Sequence, residues 1–242
     1  MNSIKFIILS LAMFAAINVT AMDKIIYQGA EFNDNVREFK ADVRGIRGIR
    51  GVRGIRGTCT QMQDDFALRL LVPKNTGKTL SSHLTLYWWV SQPLQDAEFV
   101  LIIDKLATDN NFEFAPPLVK KELKISVSKG VQTLPIPDFE LVPGIKYQVS
   151  LSVNCHKDYP SLDVSATGSI IRVEPSAQLT TKLKASPKDK LPLIYAKHGF
   201  WYDALDELSK QIQVSKDSNQ LQQMRADLLG QVGLQDEKVS LK

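Results

Sequence analysis

The fold turns on the stretch Lys146-Tyr147-Gln148-Val149-Ser150-Leu151-Ser152-Val153-Asn154-Cys155. Tyr147, Val149, Leu151 and Val153 fall on one side of an extended chain, with Gln148, Ser150, Ser152 and Asn154 on the other. Successive side chains of a strand point to opposite faces, so this alternation predicts a β-strand with one buried face. Cys155 continues in phase with the buried side.

Around this strand, between Phe66 and Val173, short apolar runs recur, bounded by Pro, Gly, Asn and Asp. Seven can be drawn: Phe66–Val72, Leu84–Val90, Glu98–Asp104, Val119–Val127, Val131–Leu134, Lys146–Cys155 and Ala166–Val173. That spacing predicts a β-sandwich. Leu141-Val142-Pro143-Gly144-Ile145-Lys146-Tyr147 supplies a turn followed by a tyrosine at the strand start. It resembles the tyrosine corner of immunoglobulin and fibronectin III-like sandwiches, in which the phenol bonds back to upstream backbone. Tyr147 is therefore read as structural and not as a catalytic acid.

Beyond Val173 the period becomes helical. Ser186-Pro187-Lys188-Asp189 combines a cap residue, a proline at the first helical position and an early carboxylate, predicting a helix that runs to His198 and stops at Gly199. A second helix aligns Trp201, Leu205, Leu208 and Ile212 on one face. A third starts near Asn219, aligns Leu221, Met224, Leu228 and Val232, and ends at Gly233. Helices this short need packing partners. The expected fold is mainly β: an immunoglobulin/fibronectin III-like β-sandwich of about seven strands, followed by a C-terminal α-helical hairpin of two to three helices.

The N-terminal part has a different character. One lysine in Met1–Lys5 precedes the apolar run Phe6–Ile17, broken only by Ser10, and Val19-Thr20-Ala21 offers small residues for a signal peptidase. Twelve residues of helix span about 18 Å, too short for a bilayer core, which favours cleavage over anchoring. Residues 22–42 are polar, mixed and without strong periodicity. Five units follow, Val43-Arg44-Gly45 through Ile55-Arg56-Gly57, with Arg44, Arg47, Arg50, Arg53 and Arg56 at every third position. They lack the prolines and the length of collagen, and like charges repel along them, so a basic linker is the preferred reading. These guanidiniums are also candidate polyanion-binding residues, directed at an anionic envelope surface. Without interleaved aromatic rings they make poor nucleic-acid binders, and no specific nucleic acid is expected. Apart from them the chain is close to neutral, since its net charge is only +4. The expected organisation is a signal peptide (1–21), a leader and Arg-Gly linker (22–57), the sandwich (58–175) and the helical region (176–242). No transmembrane segment is expected after cleavage.

Cys59 and Cys155 are the only cysteines. An oxidising compartment favours their pairing, and closing a loop of about a hundred residues contributes on the order of 4 kcal/mol in the chain-entropy view. A metal site from Cys59, Cys155, His156 and Asp158 lacks paired ligand spacing, and no metal or cofactor is expected. Val72-Pro73-Lys74-Asn75-Thr76-Gly77-Lys78-Thr79 ends like a phosphate-binding loop, but Val72 replaces the first glycine and a strand, not a helix, is expected next. It reads as an inter-strand loop. His83, His156 and His198 fall in separate elements, and Asp203 with Glu207 at helical spacing reads as a solvated helix face. No nucleophile elbow, zinc-protease or dinucleotide motif occurs.

The run from Arg56 to the C-terminus resembles Domain of Unknown Function family 928, a group of exported bacterial proteins. The resemblance is carried by Thr58-Cys59, Leu71 to Leu80, Leu86-Tyr87-Trp88-Trp89-Val90, Glu98-Phe99-Val100-Leu101, Cys155, Gly168-Ser169-Ile170-Ile171-Arg172-Val173 and Gly199-Phe200-Trp201-Tyr202-Asp203-Ala204-Leu205. It implies no particular reaction. Tyr195 to Ala204 is also similar to the turn of a tetratricopeptide repeat, but Gln211 stands at the later alanine position and only one unit is present, so a single packed hairpin is expected. Missing catalytic motifs, together with two element types common in binding modules, point to a non-enzymatic cell-envelope protein, periplasmic or secreted, that binds an envelope protein partner. The alternatives are a hydrolase of envelope polymers whose residues assemble only in space, or a polyanion-binding structural protein working through the arginine repeat.

Overall fold

The computed structural model describes residues 23–29, 66–106, 116–154, 163–216 and 218–234. Each of the seven anticipated runs overlaps a strand: β1 (Leu68–Leu70), β3 (His83–Val90), β4 (Leu94–Lys105), β5 (Val119–Val127), β6 (Gly130–Glu140), β7 (Lys146–Val153) and β8 (Val164–Arg172). An eighth, β2 (Gly77–Thr79), lies at the end of the phosphate-loop lookalike. The strands form two sheets, ordered β1-β3-β6 and β2-β8-β7-β4-β5. All the pairings are antiparallel except β2 with β8.

β7 lies between β4 and β8, and its residues alternate between buried and half-buried along its whole length. The predicted corner forms beside it. Gly144 takes φ +79°, and the Tyr147 hydroxyl accepts the Val142 N–H at 3.2 Å. The Tyr147 ring also meets Phe139 edge-on at 5.4 Å.

β6 runs further than expected, through Pro135 and Pro137. It is an edge strand. Two residues apart, both prolines turn their ring nitrogens the same way, and on an edge that side can be the one with no ladder bond to lose. β3 reads as an almost continuous apolar run because both its faces are covered. Trp88 faces the opposite sheet, 6.2 Å from Phe99, while Tyr87, in the opposite phase, reaches a helix.

Four helices follow: α1 (Ala177–Ala185), α2 (Leu191–Lys197), α3 (Trp201–Val214) and α4 (Asn219–Gly230). This exceeds the anticipated two to three. α1 is the addition, capped by Ser176, whose Oγ accepts the Leu179 N–H at 3.2 Å. Ser186 closes α1 rather than opening a helix, and Pro187 leads into a 3₁₀ turn at Lys188–Lys190 ahead of α2. Gly199 and Gly233 end their elements at φ +77° and +80°. Trp201, Leu205 and Leu208 on α3, and Met224 and Leu228 on α4, join the sandwich residues in one contiguous core. No helix among the described residues is long and apolar enough to cross a membrane.

Residues 23–29, expected to belong to a polar leader, are instead packed against the helices. Ile25 is buried in the common core, and Tyr27 meets Trp201 edge-on at 5.0 Å.

Candidate functional site at the helix–sandwich seam

The first turn of α3 carries Trp201, Tyr202 and Asp203 on consecutive positions, and each is fixed to a different part of the sandwich. The Trp201 indole, fully buried, donates Nε1–H to the Leu71 carbonyl at 2.9 Å. The Tyr202 hydroxyl donates to the Ser169 carbonyl on β8 at 3.0 Å. The Asp203 carboxylate accepts the Leu80 N–H at 3.0 Å and 3.3 Å through its two oxygens. One turn further on, Asp206 accepts the Tyr87 hydroxyl at 2.9 Å and pairs with Lys210 at 2.6 Å.

The partner of this turn is the loop from Leu71 to Leu80. Its glycine has a steric reason: a Cβ on Gly77 would stand 2.6 Å from the Tyr202 ring. Val72 fills the space over Gly168, where an added Cβ would meet it at 2.7 Å. Thr76 Oγ1 is 3.1 Å from Ser169 Oγ, and Thr79 is buried. Lys78-Thr79 thus lies in a strand and receives a helix side chain. A phosphate cradle would need a helix N-terminus at that point.

Burial shapes the electrostatics of the seam. It pushes the Asp203 carboxyl from the ordinary 3.8 up to about 6, opposed by the Leu80 amide and the Thr79 hydroxyl, which favour the anion. The reading of Asp203 and Glu207 as a solvated pair is therefore corrected for Asp203, which faces the β2 turn. Helical spacing identifies a face but not what packs opposite it. Tyr87 is raised by burial and then by Asp206, Tyr202 by burial and then by Tyr27, and Tyr27 itself reaches about 12 through burial. These phenols stay neutral near pH 7 and act as hydrogen-bonding groups. Burial pulls the Arg225 guanidinium down, opposed by Tyr87. His198, at the end of α2, is lowered by burial and by Lys182 and Lys197. Its counterpart His83 shares a 2.9 Å hydrogen bond with Ser82. Among the described residues no group of three or more His, Cys, Asp and Glu side chains is placed to hold a metal ion.

The structure thus joins two stretches singled out in the sequence, 71–80 and 199–205. Cys59, Cys155 and the arginines Arg44, Arg47, Arg50, Arg53 and Arg56 lie outside the described residues, as do residues 1–22 and His156. Sequence reading missed Ile25, Tyr27 and Gln231, which meet at the far end of the seam. The Gln231 side chain accepts the Tyr27 N–H at 2.8 Å and donates to the Ile25 carbonyl at 3.0 Å. The only signal for this was the three-residue apolar run Ile25-Ile26-Tyr27 amid polar residues, too short to show a period.

Against known families, the model described as Domain of Unknown Function (DUF928) matches residues 48–240. No curated protein matches the chain.

Proposed function

We propose, from the premise that this chain belongs to the DUF928 family, that it is an exported, non-enzymatic protein-binding module of the cell envelope. The observation that carries the reading is how the seam uses its ionisable side chains. Asp203, Asp206, Tyr87 and Tyr202 are bonded to other parts of the fold, so groups suited to proton transfer serve to fix α3 on the sandwich. The result is a rigid scaffold of two element types, a form that suits recognition.

The finer reading of the sandwich is immunoglobulin or fibronectin III-like. With β1, β3, β4, β5, β6, β7 and β8 taken as strands A, B, C, C′, E, F and G, the two sheets follow the A-B-E and G-F-C-C′ plan. β2 then continues strand A after it has crossed to the other sheet beside G. The hydrogen bond from Val142 to the Tyr147 hydroxyl supports the same assignment.

Export, signal cleavage after Ala21 and a Cys59–Cys155 disulfide complete the proposal. Full-length chain expressed with its own leader should be recovered from the envelope or medium beginning near Met22, with no titratable thiol after denaturation without reductant. Two free thiols per chain would remove the disulfide, and an intact N-terminus in the cytoplasm would remove export. Cross-linking of the mature chain in envelope extract should recover a defined, saturable protein partner. Recovery of nothing above background would overturn the binding role.

A further inference from the structure

Residues 23–29 are held by the fold in the manner of a bound peptide. The segment forms no helix or strand, and its described backbone hydrogen bonds all go to distant parts of the chain. The Gln231 amide brackets Ile26, accepting the Tyr27 N–H and donating to the Ile25 carbonyl, so one side chain mimics a strand partner for an extended chain. The Gln28 N–H donates to the Ala196 carbonyl on α2 at 3.0 Å.

Alternate side chains then enter the fold. Ile25 is buried, Ile26 is 52% exposed, and Tyr27 meets Trp201 in a T-shaped contact. Asp23 pairs with Lys190 at 2.8 Å. Gly199 completes the groove, since a Cβ there would stand 2.7 Å from the Gln28 carbonyl oxygen.

We propose that this groove, between α2, the start of α3 and the turn after α4, is a docking site for an extended peptide of the pattern acid-x-aliphatic-x-aromatic, and that its occupant can be the Asp23–Gly29 segment of a second copy. The second copy is favoured because its segment is the one sequence whose fit to the groove is seen. Residues 30–65 join Gly29 to Phe66, and a connection of that length can extend to on the order of 100 Å, enough to reach a neighbouring molecule. A segment exchanged between identical chains makes the same contacts as the one that stays at home, so no new interface chemistry is needed. The tethered segment has the advantage of high effective concentration, which makes exchange a minority event until one groove is vacant. This inference is independent of the compartment and of any foreign partner.

The test uses two variants of the chain from Met22 onward. In the first, Ile25→Asp with Tyr27→Ala removes the segment's two inward side chains and vacates the groove. In the second, Gln231→Ala with Lys190→Glu weakens the groove and frees its segment for donation. Each alone should run as a monomer by light scattering, and an equimolar mixture should form a one-to-one dimer that synthetic peptide 22–29 dissociates. With both variants folded by circular dichroism, a mixture that stays monomeric overturns the proposal, as does a dimer the peptide cannot dissociate. If the first variant unfolds, Tyr27→Ala alone takes its place, with the same two outcomes deciding.

Discussion

Two tryptophans mark two ways of closing this molecule. Trp88 lies between the sheets against Phe99, and its indole N–H has no acceptor among the described residues. Trp201 lies between helix and sandwich, equally buried, and its indole N–H is bonded to the Leu71 carbonyl. Contacts between the sheets are apolar and non-directional, so they reward burial without fixing how one surface turns on the other. The seam adds directional bonds from Trp201, Tyr202, Asp203 and Asp206, and these select a single placement of α3. The inter-sheet core supplies cohesion, and the seam supplies register.

The largest test removes the seam's anchor. Trp201→Ala should cost about 3 to 5 kcal/mol in chemical denaturation, by loss of buried area and cavity formation. A near-neutral effect would mean that α3 is held without it.

Next is the pH response of Asp203. Its folded value, about 6, stands above the ordinary 3.8, so between those values the folded chain holds a proton that the unfolded chain has released. Stability from this group therefore falls as pH rises from about 4 to about 6, by at most about 3 kcal/mol, and is level on either side. Asp203→Asn keeps an oxygen for the Leu80 amide and should flatten that part of the profile relative to wild type. Parallel profiles would show that Asp203 titrates normally.

The two tryptophans can then be compared directly. Phenylalanine removes similar area from each, but at position 201 it also leaves the Leu71 carbonyl unpaired. Trp201→Phe should exceed Trp88→Phe by about 1 to 2 kcal/mol. Equal losses would dissolve the distinction between core and seam. Tyr147→Phe removes the acceptor for Val142 N–H at the sandwich corner and should cost about 1 kcal/mol by thermal melting. At the small end, deleting residues 43–57 should leave the melting temperature nearly unchanged while abolishing retention on an anionic resin, a retention that weakens with salt. A large fall in melting temperature would give the repeat a structural role.

What the sequence revealed follows the same division. β7 was legible because one of its faces is fully buried and its polar residues mark the other. β3 was legible as a strand, but its apolar run on both faces gave no clue to what covers the second. α1 escaped notice because Leu179 is its single buried residue, too little to make a period. The run ended at Leu134 because proline argues against a strand until the strand is known to be an edge. At the seam, the apolar face of α3 could be read at positions 201, 205, 208 and 212. The roles of Tyr202 and Asp203 could not, because they depend on carbonyl and amide groups brought in by the loop at 71–80. The placement of residues 23–29 depends likewise on α2 and the end of α4, about 170 and 200 residues away.

The prolines of β6 have a further consequence. A free sheet edge is a template on which another chain can add a strand, and prolines on an edge strand, here Pro135 and Pro137 of β6, blunt that template. Across the sandwich, β5 is also an edge strand, and Lys120, Lys121 and Lys124 place charge along it. Lys120 is paired there with Glu122 at 2.9 Å and Lys121 with Asp138 at 3.7 Å, so a second β5 laid alongside would have to desolvate or break those pairs. Both edges thus disfavour edge-to-edge aggregation, and the molecule is protected there against polymerising into a continuous sheet at high concentration.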